Sequence, residues 1–431
     1  MNLSVLRILV LSSVFASLTA TAESAQDVAN ARRIDREALA ARKEGNNAQY
    51  LARAREAFQL RPNMPGARLR LAGALARIKQ ADDAFAQLEK IATQGLAFDI
   101  VRHPDFATLK ELPRFQTIIE SMAANVRPIV ASSIAFELAE KDFLSEGIAY
   151  DEKTRDFFVA SVYQRKIVRR LASGAIKPFA ANSAAEMWSV VALAIDTKRR
   201  HLWATTAAMD QTRGVDGKDI GRTAILKFDL DRETLLARYE LADRAAKRVF
   251  GDLLLAENGD VYISESLEGG IYRVAQGKLS AFIAPGTFVS PQGMAWVSKQ
   301  LYVADYSLGL LRIEMESHAV EWLAPPSDAC LLGLDGMVRI GNALIATQNG
   351  INPHRVVRID LDSSGHIARV TPVEVNHPRY SEPTLGVAVG NDFFYVANSQ
   401  WELFEAGKMP PLEKLVAPVI LRLPISVTHT K

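Results

Sequence analysis

Ser290-Pro-Gln-Gly-Met-Ala-Trp-Val-Ser-Lys-Gln-Leu-Tyr-Val-Ala-Asp-Tyr-Ser-Leu-Gly-Leu-Leu-Arg-Ile-Glu314 is the stretch whose reading decides the fold. Gln292-Gly293 is a polar corner that opens a strand at Met294–Val297, and Ser298-Lys299 turns it. Leu301–Ala304 reads as a second strand, closed by Asp305-Tyr306-Ser307, and Leu310–Ile313 as a third. Short β-rich runs bounded by turn residues predict an antiparallel meander rather than a helix. One meander cannot bury both of its faces, so the chain must supply copies.

It does. Working outward, the same polar-corner, strand, turn, strand pattern opens at Glu146-Gly147, near Ser189, at Gly251-Asp252, at Asp335-Gly336 and near Thr384. A unit of roughly 40–60 residues with three or four strands is the period of propeller blades. Six such units predict a mainly β fold, a six-bladed β-propeller over 128–431. Ser133–Leu138, ahead of the first unit, can supply the outer strand that closes the ring.

The beginning of the chain is different. Ile8–Leu18 is an apolar run after Arg7, followed by Ala20-Thr21-Ala22, the pattern of a cleavable signal peptide over 1–22 cut after Ala22. The run is too short to span a bilayer, so the expected location is the periplasm or the exterior. The 51 basic and 49 acidic residues nearly cancel, which leaves no basic surface for nucleic acid. The single Cys330 cannot form an internal disulfide and sits among apolar neighbours, as a buried thiol would.

From 23 to 127 the apolar spacing is helical. One helix carries Tyr50, Leu51, Ala54, Ala57 and Leu60 and is stopped by Arg61-Pro62; the next two run Ala67–Lys79 and Ala81–Thr93. Small residues at contact positions (Ala57, Gly73, Ala74, Ala84) allow close helix pairs. The segment resembles tetratricopeptide-type repeats, and Gly95 to Phe115 resembles the cap unit that ends such arrays. Its first reading is a packing module beside the propeller; the other is a docking surface for a protein partner.

In a propeller the innermost strands begin at one end of the central channel, so the residues that open the six units converge there. Here these are Glu146, Ser189, Asp252, Gln292, Asp335 and Thr384. Three are carboxylates, and uncompensated like charges in one small space are costly. A cation resolves this, and an all-oxygen donor set selects a hard ion: calcium first, then magnesium or manganese. The competing reading is that each polar-Gly pair only caps a turn. Asn349 and Asn398, in polar loops after second strands, are further candidates to line the mouth, on the substrate side with Asp252. His354 and His377, beside prolines, read as loop imidazoles.

Ser145-Glu146-Gly147-Ile148-Ala149-Tyr150-Asp151, Pro291-Gln292-Gly293-Met294-Ala295-Trp296, Leu301-Tyr302-Val303-Ala304-Asp305 and Leu334-Asp335-Gly336-Met337 resemble the regucalcin/gluconolactonase family of six-bladed propellers, over about Phe143 to Leu423. The resemblance implies a divalent cation held by Glu146, Gln292 and Asp335, and hydrolysis of sugar lactones or related esters with Asp335 also helping to activate water. Two positions depart from the family pattern. Gln292 stands for Asn, which carries the carbonyl one methylene further out, and Gly251 stands for another Asn, beside Asp252. The alternative class is a non-catalytic propeller that binds a ligand or protein, with the helical repeats as its docking surface.

Overall fold

The computed structural model describes residues 23–243, 245–404 and 408–426; the expected signal peptide lies outside them. Among the described residues no helix is long and apolar enough to cross a membrane.

Five helices come first: α1 (Ala25–Lys43), α2 (Asn47–Leu60), α3 (Pro65–Arg77), α4 (Ala81–Thr93) and α5 (Pro113–Asn125). Ser24 starts α1 through a reciprocal capping box with Asp27, satisfying donors the first turn leaves free. α3 begins two residues before the expected Ala67 because Pro65 at its first position already has a helical φ. α1 packs on α2 and α3 on α4. Gly73 is small for a stated reason: a Cβ there would lie 2.8 Å from the Asp105 carboxylate. Asp105 is buried and held by Arg42 at 2.7 Å, Arg77 at 2.5 Å and the Tyr50 hydroxyl at 3.0 Å. It pins the turn at Pro104–Phe106 onto the helices.

Six four-stranded antiparallel sheets follow. Their innermost strands are Ser145–Asp151, Ser189–Asp196, Phe250–Leu255, Pro291–Val297, Leu334–Ile340 and Gly386–Val389, for blades 1 to 6. Each packs on the next, and the sixth packs on the first. Blade 6 takes its outermost strand from Ser133–Glu137, which pairs antiparallel with Val419–Pro424, so the segment before blade 1 closes the ring as expected. Strands buried on both faces pack into apolar cores between neighbouring blades, such as Phe158, Phe179, Leu202 and Phe228 between blades 1 and 2.

The helices rest on the loops at the mouth end of blades 4 and 5. Ala97 and Asn352 exchange hydrogen bonds of 3.0 and 3.1 Å, the Gln94 amide donates to Ala329 O at 3.1 Å, and Arg61 donates to Ser307 O. Cys330 is buried within the helical core, with Leu332 and Ile351 packed against it. Helices and propeller therefore share apolar contacts instead of holding two separate cores.

Candidate active site at the propeller mouth

The polar-Gly corners have a common backbone cause. In blades 1, 4 and 5 the register of the innermost strand breaks between Ser145 and Ile148, Pro291 and Met294, and Leu334 and Met337. Each break is a bulge that leaves Glu146-Gly147, Gln292-Gly293 or Asp335-Gly336 outside the ladder and re-aims the polar side chain. The glycine is required by the neighbouring blade. A Cβ on Gly147 would lie 2.4 Å from Val191 O, one on Gly293 2.3 Å from Met337 N, and one on Gly336 2.7 Å from Leu385 Cα. Backbone approach this close around the axis admits no side chain. In blade 2 the same break, between Val190 and Leu193, puts Val191 at the position equivalent to Glu146. Ser189 stands outside that break, with its hydroxyl 2.5 Å from Thr212 Oγ1.

Glu146 and Asp335 are buried at 7% and 8% exposure, with Asp252 and Glu382 half-buried beside them. Among the described residues none of the four forms an ion pair, although each of the other three raises the pKa of Glu146. Burial, then Asp335, Glu382 and Asp252, push Glu146 well above the ordinary carboxylate range against a 2.5 Å hydrogen bond from Trp401 Nε1–H. Burial raises Asp335 to about 6, opposed by the Asn349 amide, which donates to its Oδ2 at 2.6 Å. Burial and Asp335 raise Asp252 to about 7 against the main-chain N–H groups of Leu253 and Met294. Burial, Asp335 and Glu402 raise Glu382 to about 7. Tyr306 is raised by burial and then by Asp335 and Glu382.

Gln292 lies half-buried, its amide donating to Ser290 Oγ at 3.0 Å. Its carbonyl faces blade 3, where a Cβ on Gly251 would lie 3.2 Å from Oε1 and 2.4 Å from Ser266 Oγ. The two departures from the family pattern are thus neighbours: the missing side chain at Gly251 leaves the space that the longer Gln292 approaches. Asn349 reaches the mouth, donating to Asp335 and, at 3.0 Å, to Pro383 O, while its buried Oδ1 has no hydrogen-bond partner. Asn398 is engaged elsewhere. Its amide donates to Ala417 O at 2.9 Å and its carbonyl accepts from Val419 N at 2.7 Å, fastening the long loop of its own blade.

Glu382 and Trp401 were not singled out as site residues by sequence. Trp401 lies three residues after Asn398 in the same polar loop; Glu382 carries no signal beyond a turn before Pro383, where it takes a left-handed φ of 64°. His377 accepts from Arg379 N at 3.0 Å and His354 is held below the ordinary imidazole range by burial; neither forms a hydrogen bond or ion pair with the four carboxylates among the described residues.

Two cavities adjoin this cluster, one through Asp252 and the other through Asn349, the partner of Asp335. One, about 390 Å³, is the central channel, lined by all six innermost strands and by Asp252. The other, about 540 Å³, lies between the helices and the mouth, with Tyr306, Ser307 and Asn349 on the propeller side and Val28, Met64 and Phe98 opposite.

No family model and no curated protein matches the sequence. Solved structures of similar fold include the calcium-binding protein regucalcin from Agrobacterium tumefaciens, at 16% identity and TM-score 0.47, covering 68% of this chain and 94% of that one. A gluconolactonase from Xanthomonas campestris aligns at 16% identity and TM-score 0.45, over 69% of this chain and 96% of that one. Virginiamycin B lyase from Staphylococcus aureus aligns at 17% and 0.44, over 68% and 88%.

Proposed function

We propose that this protein is an exported hydrolase of lactones or related esters that works with a divalent cation, calcium before magnesium or manganese, held by Glu146, Gln292 and Asp335. One observation carries the reading. Two buried carboxylates from blades 1 and 5 share the mouth with two more, none ion-paired among the described residues, beside the unpaired Oδ1 of Asn349. Buried acid groups without a counter-charge are costly, and an all-oxygen set with one orphaned carbonyl suits a hard cation. Among the described residues no three acidic or imidazole groups are gathered closely enough to hold an ion as they stand, so the reading rests on the donor chemistry and the unbalanced charge.

When bound, the cation supplies Lewis-acid polarisation of an ester carbonyl. The chain's own groups do the rest. Asp335 is raised to about 6 by burial in the absence of a cation; a bound cation would favour its ionised form, the state in which it can accept a proton from water. Trp401 Nε1–H fixes one oxygen of Glu146, and Asn349 fixes Asp335. Asp252 borders the channel and can meet a substrate hydroxyl.

The test is the metal content of the purified protein together with turnover of a lactone and ester panel. A stoichiometric divalent ion with chelator-sensitive turnover supports the hydrolase. A protein without bound metal and indifferent to chelator would overturn it in favour of a non-catalytic binding propeller. Export rests on the sequence: a cut after Ala22 would leave Glu23 first, whose buried carboxylate accepts from Arg61 Nε at 2.6 Å and Asn63 N at 3.2 Å.

A further inference from the structure

We infer that the helical segment is the second wall of the ligand pocket, and that the ligand is a small molecule with an apolar body carrying the ester or lactone carbonyl, not a bare sugar lactone; this rests on the hydrolase reading above. The 540 Å³ cavity falls within the size range of small-molecule sites. It reaches the acidic mouth through Asn349, which lines the cavity and hydrogen-bonds Asp335; the four carboxylates themselves do not line it. Its helical wall is apolar: Val28, Ala31, Met64, Leu96 and Phe98 all line it.

Charge on that wall is already balanced. Arg61, buried at 3% exposure, is paired with Glu23 and bound to Ser307 O. The Asn352 amide is spent on Ala97 O at 3.1 Å. Arg32, exposed at the rim, has no ion pair or hydrogen bond among the described residues, so free charge lies only where the cavity opens to water. A polyhydroxylated ring pressed on this wall would lose water without gaining partners, which is costly for each hydroxyl. An alkyl or aryl body gains by the same burial. The ligand carbonyl then sits at the carboxylate end and its apolar body between propeller and helices.

The experiment separates this inference from the hydrolase reading by measuring binding without turnover. δ-Lactams with alkyl tails of increasing length are titrated calorimetrically into the full chain with calcium present, and the matching lactones and glucono-δ-lactone are assayed for hydrolysis. Each added methylene should lower Kd about fourfold, equivalent to ~0.8 kcal/mol, until the cavity is full. Gly66→Leu narrows the wall; a Cβ there meets Arg70 and Met64 atoms at 3.6 Å, ordinary contact that the helix accommodates. It should weaken the longest tail at least tenfold and the untailed lactam less than twofold. Phe98→Ala should move the optimum to longer tails. Affinity independent of tail length, or variants that shift short and long tails equally, would overturn the inference even if glucono-δ-lactone is hydrolysed. Tail-dependent binding with no lactone turned over would keep the pocket and remove the hydrolase.

Discussion

Replacing Asp335 by Asn should stabilise the protein in chelator and weaken its response to calcium, and both effects follow from the site's charge balance. Asp335 is raised from its ordinary 3.8 to about 6, a gap worth ~3 kcal/mol. Between these values the native state binds the proton more readily than the unfolded chain. Stability therefore falls as pH rises through that window, and the full penalty stands at pH 8 in chelator. Asn keeps the size and a carbonyl oxygen for the Asn349 amide but removes the charge. In chelator at pH 8 the variant should be more stable than the wild type by up to ~3 kcal/mol, and the difference should vanish near pH 4. If the proposed ion binds only the folded form, calcium at 100 times its Kd should stabilise the wild type by about 2.7 kcal/mol and the variant far less. Urea midpoints for both proteins, in calcium and in chelator, at pH 4 and pH 8, provide the comparison. A wild type with equal midpoints in calcium and chelator, together with a variant less stable in chelator at pH 8, would refute the reasoning.

Gly293→Ala should cost about 1–3 kcal/mol or more and disturb the mouth, because its Cβ would meet Met337 N at 2.3 Å and Asp335 O at 2.6 Å, both backbone atoms that cannot swing aside; urea midpoint and calcium affinity should fall together. A propeller fragment beginning at Arg127 should fold as β but melt below the full chain and bind a hydrophobic dye, since Cys330, Leu332 and Ile351 lose their helical partners. Equal melting and no dye binding would mean that the shared contacts contribute nothing.

The blade repeat was legible because the second strand of each unit is mostly buried and its composition says so. Phe157–Ser161 and Val261–Ser264 are apolar on both faces, and turn residues bound them. The outermost strands leave no such mark because water meets them: Ile176–Phe179 is exposed over its first three residues, Val320–Trp322 is at most half-buried, and both carry mixed residues, so no periodicity marks them. Strand pairing makes them, through register with the third strand. The helices were legible from their spacing and stops. What they rest on was not.

The site divides in the same way. Glu146, Gln292 and Asp335 could be read from sequence because each precedes a Gly that the neighbouring blade requires at its bulge, a pairing local enough to leave a motif; the blade 2 bulge carries Val191 instead. Asn349 and Asn398 look alike in sequence, each following a second strand. Only the fold separates them, since the long loop after Asn398 returns Ala417 and Val419 to its side chain while Asn349 is left facing Asp335. Glu382, Trp401 and the helical wall join the mouth through contacts far apart along the chain, such as Trp401 with Glu146 and Arg61 with Ser307. By itself, then, the sequence determined the repeat, the helices and the acid corners, because each is enforced by neighbours in the chain. The pocket between helices and propeller and the raised carboxylates were decided by the tertiary structure alone, because desolvation and charge repulsion depend on which surfaces meet.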